Sequence, residues 1–236
     1  MIKFFRHIRK ALIAENKFSK YLLYAIGEII LVVIGILIAL QINNWQQHRN
    51  NNKLEKRYLS NLLSELEKDA LAMTITHAKL VKQSETKNPL LDIISTGQPH
   101  DSLLKYFALQ WRPIYPYTPL KSTFEEMKSS SHLNIIRDDK LREAIIKMYN
   151  QYESLDKEEE LLLSYFKNLI GVLSERIPNI YDPSEADILK YSKEAQFNNS
   201  IRLNGAFFRR ELYKKTLDQC KDLLYMLRNY QSEIND

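Results

Sequence analysis

The feature that most constrains this chain is one uninterrupted apolar run, YLLYAIGEIILVVIGILIALQI, at residues 21–42. As a helix rising about 1.5 Å per residue, this run would be about 33 Å long, against a hydrocarbon core of about 30 Å. It contains a single carboxylate, Glu28. Residues 29–42 alone would reach only about 21 Å, so a spanning helix places Glu28 about 10 Å below the membrane surface. An ionisable group at that depth usually has a partner or a function.

The charge distribution predicts how such a span is oriented. The first 20 residues contain six Lys and Arg and one Glu, so their net charge is +5, the same as that of the whole chain. The totals of 34 basic and 29 acidic residues therefore leave 28 of each in the remainder. The basic balance thus belongs to the N-terminal tail, and we predict no nucleic-acid-binding face. By the positive-inside rule, the N-terminus is cytoplasmic and the C-terminal part lies outside the cytoplasm.

The N-terminal segment is predicted to remain attached to the protein. Its apolar run is longer than the core of a signal peptide, and IALQINNW follows it in place of a small-residue cleavage site, so an uncleaved signal anchor is favoured. In residues 1–20, one helical face holds a group of apolar side chains: Phe4, Phe5, Ile8, Leu12 and Ile13. Either a basic amphipathic helix on the inner membrane surface or an unstructured basic tail fits this pattern.

Residues 43–236 are predicted to form one helical domain outside the cytoplasm. Apolar residues recur at three- and four-residue steps and no long alternating pattern occurs, so the expected fold class is all-α: a transmembrane helix followed by an antiparallel bundle. Ser122 or Thr123 is expected to cap one helix and Asp138 another. The first predicted helix covers residues 51–81, and Asn88-Pro89 ends that element. The helices predicted after it are a short one at 90–95, one at 103–111, one that begins after 122, a long one from 139 towards Pro178, a short one at 188–201 and a last one at 205–232.

The stretch ENKFSKYLLYAIGEIILVVIGILIALQINNW resembles the start of a bacterial family of small single-pass membrane proteins of unknown function. Its members open with a basic MIKFFR-like segment followed by an IGE…LVVIGILIALQINNW span. TFEEMKSSSHLNII…LREAI is similar to their middle portion, although Ser131 stands where the resemblance leads us to expect glycine. The resemblance implies a helical extracytoplasmic domain and assigns no functional residues.

Motifs that would indicate chemistry are missing from the sequence. The histidines form no HExxH pair, and the chain has no G-x-S-x-G, no phosphate-binding glycine loop and no Cys/His metal pattern. We therefore predict no catalytic residues, no metal site and no cofactor, and a protein that is not an enzyme. His77 is expected to be a buried histidine, Cys220 a buried structural thiol, and the run from Asp156 to Glu160 a solvated helix face.

Two groups of residues are candidates for contacts with partners. Trp111, Tyr115 and Tyr117 lie on a proline-rich stretch that either presents a partner surface or packs over the bundle.

The second group lies in the apolar run. On a helix, Gly35 and Ala39 lie within about 20° of the direction of Glu28, and Tyr24 within about 40°. The face formed by Tyr24, Glu28, Gly35 and Ala39 would let another transmembrane helix approach closely. The alternative is that Glu28 is protonated or reaches back towards Lys20 without any further role.

The sequence predicts a non-enzymatic protein of a bacterial inner membrane with a periplasmic helical domain that serves as an interaction or scaffold module. Its expected partners are the lipid bilayer and either a second copy or another membrane protein, bound through the transmembrane helix. An ion-coupled subunit that uses Glu28, as stator-type proteins use an acidic residue, is one alternative. A periplasmic ligand-sensing bundle is the other.

Overall fold

The computed structural model describes residues 18–112 and 114–234, and every regular element in these ranges is a helix, which confirms the all-α fold. One long N-terminal helix is followed by a helical bundle. The N-terminal tail, for which an amphipathic helix is one of two expectations, lies outside the described residues except for residues 18–20. The α-helices are α1 (Phe18–Thr96), α2 (Leu103–Trp111), α3 (Ser122–Ser129), α4 (Asp139–Arg176), α5 (Glu185–Tyr191), α6 (Ala195–Arg202) and α7 (Ala206–Glu233), with a 3-10 turn at His132–Ile135.

Helix α1 continues through Pro89, so the prediction that it ends at Asn88-Pro89 is wrong. Proline inside a helix removes one backbone hydrogen bond and costs about 3 kcal/mol. Leu90 is fully buried and Ile94 is 2% exposed in a cluster with residues of α2, α4, α5 and α6. Tertiary packing of this last stretch of α1 offsets the local cost, because burying a leucine or isoleucine side chain contributes about 1.5–3 kcal/mol.

The chain divides into two compact units, with the boundary between Glu55 and Lys56. In the second unit, α4 packs along α7 and against α6. Fully buried aromatic side chains from several helices fill this core, among them Tyr58, Tyr152, Tyr213, Phe107 and Phe197. Such close packing gives the bundle a single arrangement of its helices.

Helix starts agree with the sequence in one case and differ in another. Asp138 caps α4, as predicted, and accepts a hydrogen bond from the Leu141 backbone nitrogen at 2.7 Å. At α3 the cap position is Lys121 rather than Ser122 or Thr123, and no side chain of the cap residue bonds the helix. The carboxylate of Glu65, from α1, instead accepts from the Thr123 nitrogen at 3.2 Å. A distant acidic group thus replaces the local cap.

Two further details refine the predicted bundle. The expected short element at residues 188–201 is two helices, α5 and α6, because the chain turns at 192–194. Ser131, which stands at the position where glycine was expected, has φ of +57°. Glycine adopts this left-handed region more readily than other residues, which is a physical reason to expect glycine at position 131.

Gly205, at the start of α7, is predicted to be required for the close packing of α7 on α4. Its φ is +77°, and an added Cβ would lie 3.1 Å from the Leu162 carbonyl oxygen. We expect Gly205→Ala to lower the free energy of unfolding by about 1–2 kcal/mol, measured by thermal unfolding of the full chain in detergent. Gly171→Ala is the matched control, because no side chain among the residues described lies within 4 Å of its Cβ position. It should stabilise α4 by about 0.5–1 kcal/mol. Equal effects of the two substitutions would contradict this account.

Candidate functional site

The structure places the predicted association face on one exposed stretch of α1. The residues from 29 to 50 are all exposed. In the described part of the chain, nothing beyond the adjacent backbone of the helix lies within 4 Å of the position that a Cβ on Gly35 would take. Ala39 is exposed and Glu28 is partly buried. Tyr24 belongs to the same helix. Since the segment is helical, Gly35 and Ala39 lie close to the direction of Glu28, with small side chains between exposed apolar ones.

The three residues of the predicted partner loop have different environments. Trp111 is 6% exposed and its ring packs edge-on against Tyr181, with ring centroids 5.2 Å apart. Tyr117 donates its hydroxyl to Asp69 at 2.6 Å and its backbone nitrogen to the Tyr213 hydroxyl at 2.9 Å. Only Tyr115 lies mainly in solvent, at 78% exposure. The structure therefore does not bring the three rings together on one surface.

A buried carboxylate that the sequence analysis missed binds the proline-rich segment. Asp69 is fully buried on α1, and its carboxylate accepts three hydrogen bonds. Besides the Tyr117 hydroxyl, the donors are the Tyr152 hydroxyl at 2.7 Å and the Leu120 backbone nitrogen at 3.1 Å. Burial raises the pKa of Asp69 above its ordinary value, although these donors act in the opposite direction.

A second buried carboxylate corrects a prediction about the acidic run. Glu159 was expected on a solvated face, but it is 3% exposed and pairs with Arg209 of α7. The guanidinium donates two bonds to this carboxylate, Nε to Oε2 at 2.9 Å and Nη2 to Oε1 at 2.5 Å. Nη2 also donates to the Ile114 carbonyl at 2.7 Å, and the Tyr213 hydroxyl donates to Glu159 at 3.2 Å. A bidentate pair of this kind can remain charged inside a core.

Asp69 and the two partners of Glu159, Arg209 and Tyr213, all bind residues 114–120. These residues form no helix or strand and are irregular, as predicted from their prolines. Three backbone groups of the segment bond to buried side chains: the Ile114 carbonyl to Arg209, the Tyr117 nitrogen to Tyr213, and the Leu120 nitrogen to Asp69. An irregular segment lacks the backbone hydrogen bonds of a helix, so these side chains supply partners for three backbone groups of the segment.

The sequence held a weak signal for each of these buried groups. Asp69 follows Leu62 and Leu66 at helical spacing, and Glu159 follows Tyr152 and Leu155 in the same way. A charged residue at a position where the helical spacing predicts an apolar side chain is the signal that could have identified both buried carboxylates. His77, expected to be a buried histidine on the apolar face of this helix, is only partly buried.

Cys220 is buried on α7, as predicted, and is expected to resist chemical modification in the folded protein. Burial raises the pKa of its thiol to about 12. Since the thiolate is the reactive form, iodoacetamide at pH 8 should leave Cys220 unmodified in native full-length protein and alkylate it after denaturation. Mass spectrometry of the intact chain measures the difference. Rapid alkylation under native conditions would contradict the burial of this side chain.

Among residues 18–112 and 114–234, no three His, Cys, Asp or Glu side chains are grouped so that they could hold a metal ion. The one helix in this part of the chain that is long and apolar enough to cross a membrane is α1, and the apolar stretch responsible has no residue buried inside the protein.

The structure therefore defines a helical-bundle protein with an exposed apolar helix near its N-terminus. The chain belongs to the family described as a family of unknown function, DUF6090, which it matches over residues 28–174. This match includes most of the apolar stretch, α2, α3 and nearly all of α4. No curated protein and no solved structure matches the chain.

Proposed function

We propose that this protein is a single-pass membrane protein whose helical domain is an interaction or scaffold module outside the cytoplasm, and that its span associates with another helix through the Glu28 face. The observation that carries this proposal is the exposure of every residue from 29 to 50. Within it, residues 29–42 are apolar except for Gln41, and an apolar surface of this extent is stable against lipid but not against water. The N-terminal charge supports a cytoplasmic N-terminus, which in a bacterial inner membrane leaves the bundle in the periplasm.

Topology is tested with reporters fused to the C-terminus of the full chain. Alkaline phosphatase, which needs the periplasm, should be active in this position, and a fluorophore that matures only in the cytoplasm should be dark. The reverse pattern would exclude the proposed orientation.

Helix association is supported by the small side chains in line with Glu28. A second helix could approach Gly35 closely, since no side chain in residues 18–112 and 114–234 occupies that space. The partner is either a second copy or another membrane protein. In both cases a hydrogen bond from the partner helix to Glu28 would stabilise the helix pair, because the hydrocarbon core of the membrane offers no water as an alternative partner.

We expect Glu28→Leu to weaken association by about 1 kcal/mol, and Gly35→Leu to weaken it further by preventing close approach. Glu28→Gln should largely preserve it, because an amide also forms hydrogen bonds across helices. Crosslinking of the full chain in membranes measures these effects, with Leu37→Ala, about 180° from Glu28 on the helix, as the control.

The same variants separate association from ion coupling. If Glu28 carries a proton or a sodium ion, Glu28→Gln should abolish function as fully as Glu28→Leu while crosslinking survives. Unchanged crosslinking and function in Glu28→Gln, Glu28→Leu and Gly35→Leu alike would refute both roles.

A further inference from the structure

An exposed apolar groove lies between α4 and the turn that joins α6 to α7. It encloses a cavity of about 290 Å³. Its walls include Leu161 and Tyr165 of α4 and Leu203, Phe207 and Phe208 near the start of α7. Leu161 is 61% exposed and Phe208 is 65% exposed. Isolated apolar side chains on a surface are ordinary, but a contiguous group around a cavity of this size is typical of a binding site.

One end of the groove is positively charged. Lys87 of α1 and Arg202 of α6 both line the cavity, and the Lys87 Nζ donates to the Arg202 carbonyl oxygen at 3.1 Å. In the described part of the chain, neither cation takes part in an ion pair with a carboxylate. Burial lowers the pKa of Lys87, and the neighbouring Arg202 lowers it further. An anion at this end would compensate both effects.

The apolar walls continue past the cavity. A neighbouring cavity of about 360 Å³ shares Leu161, Leu162 and Phe208 with the first. Glu158, Glu211 and Lys215 line this second space, so its charged groups are of both signs and net acidic. The groove is therefore asymmetric. One end has two cations and no carboxylate among its lining residues, the middle is apolar, and the other end has two carboxylates and one lysine. This polarity matches a ligand that has one anionic head and one apolar tail.

We propose that this groove binds a free long-chain carboxylate, with the carboxylate at Lys87 and Arg202 and the alkyl chain along Leu161, Leu162 and Phe208. The two cations supply charge-assisted hydrogen bonds to the head. Burial of the tail removes apolar surface from water on both ligand and protein. Every residue involved lies in the unit formed by residues 56–236, so the site is independent of the role proposed for the span.

The test uses the full chain in nanodiscs of phosphatidylcholine, which has no net charge, with a photoactivatable fatty acid as the probe. Crosslinked peptides mapped by mass spectrometry should include residues 161–165 and 203–208. The matching fatty alcohol, which has the same chain without the charge, should label these peptides about tenfold less. In Lys87→Met with Arg202→Met, labelling by the fatty acid should fall to the level of the alcohol. Lys82→Met with Lys193→Met removes the same charge from exposed lysines outside the groove and should change nothing.

Any one of these labelling results would overturn the proposal: equal labelling by acid and alcohol, labelling confined to the apolar stretch of α1, or unchanged labelling in the Lys87→Met, Arg202→Met variant. A further variant, Phe208→Ser, changes the apolar wall without touching the cations and should lower labelling by both probes. Crosslinks from the groove to a second copy that the fatty acid does not displace would also overturn it, since the groove would then be a self-association surface. Circular dichroism of each variant verifies that it is folded.

Discussion

Arg209→Met is expected to lower the free energy of unfolding by about 3–5 kcal/mol, because it leaves the buried Glu159 carboxylate without its partner. Arg209 and Glu159 side chains are 2% and 4% exposed, so water cannot replace the lost hydrogen bonds. For a unit of this size, the corresponding fall in melting temperature is about 10 °C. Near-ultraviolet circular dichroism of the full chain in detergent measures it, because this signal reports on the packed aromatic side chains of the bundle.

The matched control is Arg228→Met, the same substitution in an exposed ion pair. Arg228 and Glu67 lie 2.7 Å apart, but their side chains are 58% and 47% exposed. This pair should contribute less than about 1 kcal/mol. Replacing both buried partners, as in Arg209→Met with Glu159→Leu, should recover part of the loss, since no unpaired charge is then buried. Similar losses in Arg209→Met and Arg228→Met would contradict the buried pair.

Asp69→Leu is expected to cost about 3–5 kcal/mol, because three buried donors lose their acceptor at once. These donors are the hydroxyls of Tyr117 and Tyr152 and the backbone nitrogen of Leu120. Asp69→Asn retains one oxygen acceptor and should cost less. The control is Asp92→Leu at an exposed position of the same helix, which should change stability by about 0.5 kcal/mol or less. Urea unfolding of the full chain compares the variants.

The dependence of this effect on pH follows from the raised pKa of Asp69. An acid whose pKa is higher in the folded state binds its proton more tightly there, so its contribution to stability is greatest below its unfolded pKa. That contribution is lost as the pH rises from 3.8 through the folded pKa. The stability of the wild type relative to Asp69→Asn should therefore fall over this range. A relative stability that rises instead would mean that the three donors outweigh burial.

Local patterns in the sequence determined most of the helices. Apolar spacing identified α2, α4 and α7, and the prolines of residues 114–120 identified an irregular segment, because these features depend on neighbours in the chain. Asp138 could be recognised as a cap for the same reason, since it bonds a nitrogen three residues on. The Glu28, Gly35 and Ala39 alignment also follows from helix geometry alone.

Contacts between distant residues decided what local patterns could not. Glu159 lies between Glu158 and Glu160, and its local sequence does not distinguish it from them. It is buried because it pairs with Arg209, which lies 50 residues further along the chain. Asp69 is likewise defined by residues 48 to 83 positions away. Pro89 remains helical because the two leucines and two isoleucines that follow it are buried against other helices. Spacing along the chain predicts which side chains share one face of a helix. Only the packed bundle determines which helix faces pack together and which charged groups and backbone carbonyls bind each other.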